Sequence, residues 1–230
     1  MSAAPGPGKL VVMLQVSETL SGSAASPATV RLRRIVCGTD GTSEAREAVR
    51  QAAELAGSSG ELEIVIVTPA FRGFSFQDGA AAMLGDAERA ARTLGASPEA
   101  HVLPAATAAA GLIRAATGAD LLVIGCDALG PTPKAILRRA PCSVRLARRA
   151  PDRPVLDTIL VASDGPRQAE LWAADLAGEH GAKVCTAPTA EIVAAGETFG
   201  CGLIVIGEGA IAAHVARAAP CSVLVARDHG

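Results

Sequence analysis

The chain has 230 residues, enough for one large domain or two small ones. Half of it is hydrophobic, so a core can form, but aromatics make up 2% and Tyr is absent, which disfavours a site that sandwiches a large flat cofactor between rings. A net charge of −2 offers nothing to nucleic acid or an anionic membrane.

Residues 1–30 are rich in Ala, Pro, Gly and Ser around the apolar run VVMLQV. They read as a mobile N-terminal arm, in which that run is either free or an extra edge strand. The run is too short for a signal core or a membrane span, and no later run nears bilayer length, so a cytoplasmic location is expected. The first domain, 31–149, opens with a strand at Ile35–Thr39. Asp40-Gly41 then turns into a helix capped by Thr42 or Ser43 and stopped near Gly57. In that helix Ala45, Ala48, Val49, Ala52 and Ala53 form one apolar stripe at helical spacing. A second strand, Leu62–Val67, ends at Pro69. FRGFSFQDG, with three of the four Phe residues, reads as a loop between Phe71 and Phe76, either a lid over the strand ends or a partner-binding tip. A helix over 80–94, a short strand at His101–Leu103 and a helix over 106–116 follow. Strand Leu121–Gly125, a short helix over 133–139 and strand Cys142–Ala147 complete a β-α alternation. This is an α/β doubly wound parallel sheet of five strands in the order 3-2-1-4-5.

Residues 150–156 form a Pro-bounded linker. The pattern then restarts in 157–230. TILVASDG repeats RIVCGTDG; Ala169, Trp172, Ala173, Leu176 and Ala177 repeat the first helical stripe; CGLIVIG and APCSVLVARD repeat ADLLVIG and APCSVRLARR. Matching segments in the same order imply a duplicated domain. The second copy is shorter, since Asp164 to Gly207 is about half the interval from Asp40 to Gly125. It lacks about one βα unit, with AKVCTAP matching the third strand. It has about four strands and is expected to lean on the first copy for its core.

In doubly wound sheets ligands sit beyond the carboxyl ends of the strands, where strand order reverses. Here that crevice lies between the first and fourth strands, where Asp40 and Gly125 meet, with Asp164 and Gly207 in the second copy. A helix N-terminus there offers N–H groups to phosphate, and an Asp could accept from ribose or hold Mg²⁺ through water. Each Asp reads equally as a turn and cap residue. Six cysteines lack CxxC spacing and read as reduced, buried small hydrophobes, with Cys142 and Cys221 at matching sites. Arg138, Arg139, Arg145, Arg148, Arg149 and Arg153 read either as cations on a helix end and solvated linker or as an anion-binding patch. Arg145 stands where the second copy has Leu224, which marks it for an edge or an interface. His101, His180, His214 and His229 have no partner at triad or ligand spacing, and no nucleophile–base pair is readable. A metal site is not expected.

The first-strand Asp, the VIG ending of the fourth strand and the APCSV entry to the fifth together resemble the universal stress protein family. The resemblance covers Arg34–Arg148 in full and Thr158–Ala226 in abbreviated form. It implies an adenine-nucleotide-binding-like fold, dimer-like pairing through the fifth strand, and in some members ATP held by G-x2-G-x9-G-Ser/Thr after the fourth strand. Carried over by position, Asp40 matches the first-strand Asp, Val67 the residue that meets adenine, Gly125 the first Gly and Gly130 the last. Pro131 stands where Ser or Thr is expected, and four residues separate Gly125 from Gly130. In the second copy Gly207 and Gly209 bracket Glu208, and Ala210 takes the hydroxyl position. The resemblance therefore implies a non-catalytic stress-response or regulatory module with weak or lost nucleotide binding, no cofactor, an intramolecular pseudo-dimer of the two copies, an open possibility of a homodimer, and an unidentified protein partner. Two alternatives are an ATP-binding member whose shortened loop still cradles phosphate with Mg²⁺, and a flavodoxin-like carrier, which the aromatic deficit disfavours. A phospho-receiver is disfavoured because HVLP ends without an Asp.

Overall fold

The computed structural model describes residues 32–69, 74–149 and 155–228. The expected N-terminal arm, Phe71 and most of the linker lie outside them. The first half runs β1 (Arg34–Gly38), α1 (Ser43–Ala56), β2 (Glu61–Pro69), α2 (Phe74–Thr93), β3 (Pro98–Ala105), α3 (Ala108–Ala115), β4 (Leu121–Gly125), α4 (Pro131–Arg139) and β5 (Ser143–Ala147). The second runs β6 (Thr158–Ala162), α5 (Arg167–His180), β7 (Lys183–Ala187), a 3-10 turn at Thr189–Glu191, α6 (Ile192–Phe199), β8 (Leu203–Gly207), α7 (Ala210–Ala218) and β9 (Ser222–Ala226). Two expectations shift. Phe74 and Phe76 belong to α2 rather than to a loop, because the segment continues without a breaker into the Ala-rich helix. The third strand is longer than the apolar HVL core, since β3 pairs with β2 from Pro98 to Ala105.

All nine strands form one sheet in the order β3-β2-β1-β4-β5-β9-β8-β6-β7. Within each half the strands are parallel; the halves meet through the antiparallel pair β5–β9. Central strands are aliphatic throughout because helices cover both of their faces. Ile35, Val36, Leu121, Leu122, Leu203 and Ile204 are all buried. On one face α1, α2 and α5 pack over a single core that crosses the β5–β9 junction, with Trp172 at its centre. On the other face α3 and α4 cover the first half and α6 and α7 the second, with Leu137 touching both clusters. The shorter half thus shares its core with the longer one.

The first half keeps the expected order 3-2-1-4-5. The second departs from it: β7 lies directly beside β6, in the place β2 occupies beside β1. The missing unit leaves no gap, because the remaining strand moves inward while α6 still crosses to the α3 face.

The β5–β9 pair is built around a pseudo-twofold. Arg145 faces Leu224, flanked by Val144–Val225 and Leu146–Val223. The motif serine of each half reaches across it. Ser222 Oγ accepts from the Arg148 N–H at 3.0 Å, and Ser143 Oγ accepts from the Arg227 N–H at 3.1 Å. Each of those arginines then caps a helix of the opposite half. Arg148 donates to the carbonyls of Ala216 and Ala219 at the end of α7, and Arg227 to that of Leu137 in α4. A cation at a helix C-terminus meets both its free carbonyls and its dipole.

Candidate functional site

Beyond the carboxyl ends of β1 and β4 lies a crevice of about 440 Å³. Val65, Val67, Leu112 and Ile124 form its apolar floor, and Asp40, Thr42, Glu44, Gly125, Asp127, Thr132 and Pro133 line the rest. The sheet brings Asp40, Val67 and Gly125 together as their positions imply. Gly130 is absent from the lining and instead caps the N-terminus of α4. At Gly125 an added Cβ would lie 2.4 Å from the backbone of Glu44, so only glycine lets α1 rest on the end of β4.

Asp40 is exposed and serves its own turn. Its Oδ1 accepts from the Thr42 N–H at 3.1 Å and the Thr42 hydroxyl at 2.6 Å, and Thr42 Oγ1 accepts in turn from the Ala45 N–H. Sequence reasoning left ligand binding and capping open; the capping bonds are made. Glu44 and Asp127 add two carboxylates that sequence reasoning missed, since one lies in the first turn of α1 and the other in the irregular loop after β4. Glu44 is held below the usual carboxylate range by its own backbone N–H and by Ser43. Asp127 is raised by lost hydration and then by the negative charge of Glu44.

The phosphate-facing side is poor in donors. The N-terminal turn of a helix normally leaves four N–H groups free. In α4, Pro131 and Pro133 have none, and the Gly130 N–H is bonded to the Ala128 carbonyl at 2.8 Å. Thr132 is the remaining member of that set. Arg148, which could have served an anion, points away: it is buried and bonds the Cys126 carbonyl at 2.8 Å besides those of α7. The arginine run is therefore no single patch. Arg138, Arg139 and Arg149 are exposed, Arg145 and Arg148 are buried, and Arg153 lies outside the described residues.

In the second half the equivalent crevice is occupied by the protein itself. Asp164 Oδ1 accepts from the Thr189 N–H at 2.7 Å and the Thr189 hydroxyl at 2.5 Å, which holds this carboxyl below its ordinary range. By register Thr189 falls where Val67 does, two residues past the strand position opposite the end of β1 or β6. Pro166 covers Gly207, whose added Cβ would lie 2.0 Å from the proline ring. Gly209 caps α7 at φ 141, and Glu208 is paired with Arg227 at 3.2 Å. Asp164, Gly207 and Gly209 thus lie at the neighbouring ends of β6 and β8, with Thr189 bonded to Asp164 and Pro166 against Gly207. The Asp-Gly and Pro-Thr pairs were visible in sequence, but their meeting depends on the inward shift of β7.

The sequence model of the universal stress protein family matches residues 31–148. The chain belongs to the universal stress protein family. A universal stress protein from Archaeoglobus fulgidus, 15% identical, superposes with a TM-score of 0.71 over 86% of this chain and 99% of that one. A putative universal stress protein from Pseudomonas aeruginosa, 19% identical, gives 0.65 over 87% and 95%. These likenesses show that the universal stress fold extends over both halves of the sheet. A search of curated proteins returns no match. Among the described residues no helix is long and apolar enough to cross a membrane, and no group of His, Cys, Asp and Glu is placed to hold a metal ion.

Proposed function

We propose that this chain is a tandem universal stress protein whose two copies pair as an intramolecular pseudo-dimer, acting in the cytoplasm as a non-catalytic regulatory module that has lost its grip on nucleoside triphosphate. The observation that carries this reading is the N-terminus of α4. Two prolines and one internally bonded N–H leave Thr132 alone among its usual donors. Three carboxylates, Asp40, Glu44 and Asp127, line the same crevice, and among the described residues no Lys or Arg lines it. A triphosphate would meet like charge where it needs hydrogen bonds. The second half supports the same reading, since Thr189 and Pro166 fill its crevice.

One observation favours the alternative of residual nucleotide binding. The apolar floor around Val65 and Val67 is open, and Gly125 remains bare. Thermal melts with and without ATP and Mg²⁺ decide between the two. A ligand at a hundredfold over its Kd would add about 2.7 kcal/mol to stability. The expected result is no shift at millimolar ATP. A shift that Asp40→Ala abolished would overturn the reading.

A further inference from the structure

Cys201 and Cys221 stand with their sulfurs 3.4 Å apart. Both are nearly enclosed, with 6% and 3% of their surfaces exposed. Each precedes one of two hydrogen-bonded parallel strands, β8 and β9, whose first pair is Leu203–Ser222. Adjacent strands hold their backbones at the separation a disulfide spans, and closing it requires the sulfurs to approach to about 2.05 Å. Gly196 in α6 leaves the room: a Cβ there would lie 3.4 Å from Cys201 Sγ and 3.6 Å from Pro220. The first half provides the contrast. Cys142 holds the place of Cys221, but Ala119 holds the place of Cys201, so packing alone requires one cysteine at this position and not two.

We infer that Cys201 and Cys221 form a dithiol that a small peroxide converts to an intrachain disulfide, stapling β8 to β9 in the shorter half. Either sulfur can donate in this S–H···S contact; it holds the thiol of Cys201, the less enclosed of the two, below its ordinary range, while the same contact and burial push the Cys221 thiol up. Cys201 is therefore the first nucleophile. Its thiolate attacks one peroxide oxygen, the O–O bond breaks, and hydroxide leaves to take up the thiol proton as water. The Cys201 sulfenic acid is then attacked by Cys221 sulfur; the S–S bond forms and a second water departs with the remaining proton. Two thiols are oxidised by two electrons and one peroxide is reduced to two waters. In the other buried cysteines, Cys37, Cys126 and Cys142, burial pushes the thiol up, to about 12 in Cys37 and about 11 in Cys142, which keeps them unreactive.

The test treats the full-length, reduced protein with hydrogen peroxide, quenches it, and alkylates it in denaturant. The expected result is an intact mass lower by two hydrogens, two of the six thiols unavailable, one crosslinked peptide pair joining Cys201 to Cys221, and reversal by dithiothreitol. Closing this loop should raise Tm by up to roughly 10 °C. Cys201→Ala, which copies Ala119 of the first half, should abolish every one of these changes. Oxygen addition at either cysteine, crosslinks between chains, or an unchanged thiol count at a peroxide level that oxidises glutathione would each overturn the inference. The peptide map of the unaltered protein decides the matter even if the variant folds poorly.

Discussion

Arg145 is a buried charge in the sheet, and its replacement by leucine should stabilise the protein. It is 1% exposed, in the middle strand pair of the molecule. Its Nε donates to Gln51 Oε1 at 2.9 Å, while Nη1 is buried with no hydrogen-bond partner among the described residues. Burial holds the guanidinium well below its ordinary range, down to about 10. At about 1.4 kcal/mol per pH unit that is a charging cost of roughly 3 kcal/mol. The cost is present at every pH below about 10, because there both folded and unfolded chains carry the charge; it is relieved only as the folded arginine deprotonates. Arg145→Leu removes the charge and the orphan Nη1 and places beside Leu224 the residue that Leu224 already is. Gln51 stays satisfied through Ser222, whose hydroxyl donates to the same Oε1 at 3.2 Å. The expected gain is about 2 kcal/mol, or roughly 4–8 °C in Tm. Gln51→Ala should do the opposite, costing about 3 kcal/mol, because it strands a buried cation. The two changes should couple, with Arg145→Leu cancelling most of the Gln51→Ala loss. Guanidinium denaturation of the four proteins measures this, given a constant m-value. A loss of more than about 1 kcal/mol in Arg145→Leu would refute the reasoning.

Three further outcomes follow from packing and capping. Trp172 is fully buried and its Nε1 has no hydrogen-bond partner among the described residues, so Trp172→Phe should cost far less than Trp172→Ala, for which about 3–5 kcal/mol is expected by chemical denaturation. The depressed carboxyl of Asp164 means that its bonds to Thr189 are fully present above the ordinary carboxylate pKa of about 3.9 and are lost as pH falls through the lower folded value. Hydrogen exchange at the Thr189 amide should therefore quicken below that point, beyond its intrinsic pH dependence, in the wild type and not in Asp164→Asn. Gly125→Ala should lift the first turn of α1 from β4 and cost about 1–3 kcal/mol, with Gly57→Ala, where the space is open, as a comparison that isolates the strain of positive φ.

The chain order of the fold was legible because the strands are short aliphatic runs and the first helix of each half carries one apolar stripe. Asp40 and Gly125 converge because their positions follow from that order, and Val67 joins them where the family resemblance placed it. Other features were not legible because they depend on placement in the sheet. Arg148 and Arg139 look alike in sequence, yet one is buried across the pseudo-twofold and the other is exposed at the end of α4. The serine of APCSV gave no local hint of its use, since the N–H it accepts from lies 74 residues away in one case and 84 in the other. Asp127 and Glu44 are ordinary loop and first-turn residues until the crevice brings them together.

The same pseudo-twofold bears on why the two halves of the sheet pair with each other. The axis of the β5–β9 pair passes through Arg145 and Leu224. If β5 paired in this register with β5 of a second molecule, Arg145 would face Arg145, and two buried charges would repel where one already costs stability. Pairing β9 with β9 would set leucine against leucine, but the cover that α1 supplies beside β5 would be absent from both sides. The unequal pair is the arrangement in which one arginine finds Gln51 and one leucine fills the space beside it. The shorter half, relieved of a ligand crevice, then contributes Ser222, the carbonyls of α7 and the far edge of a shared core.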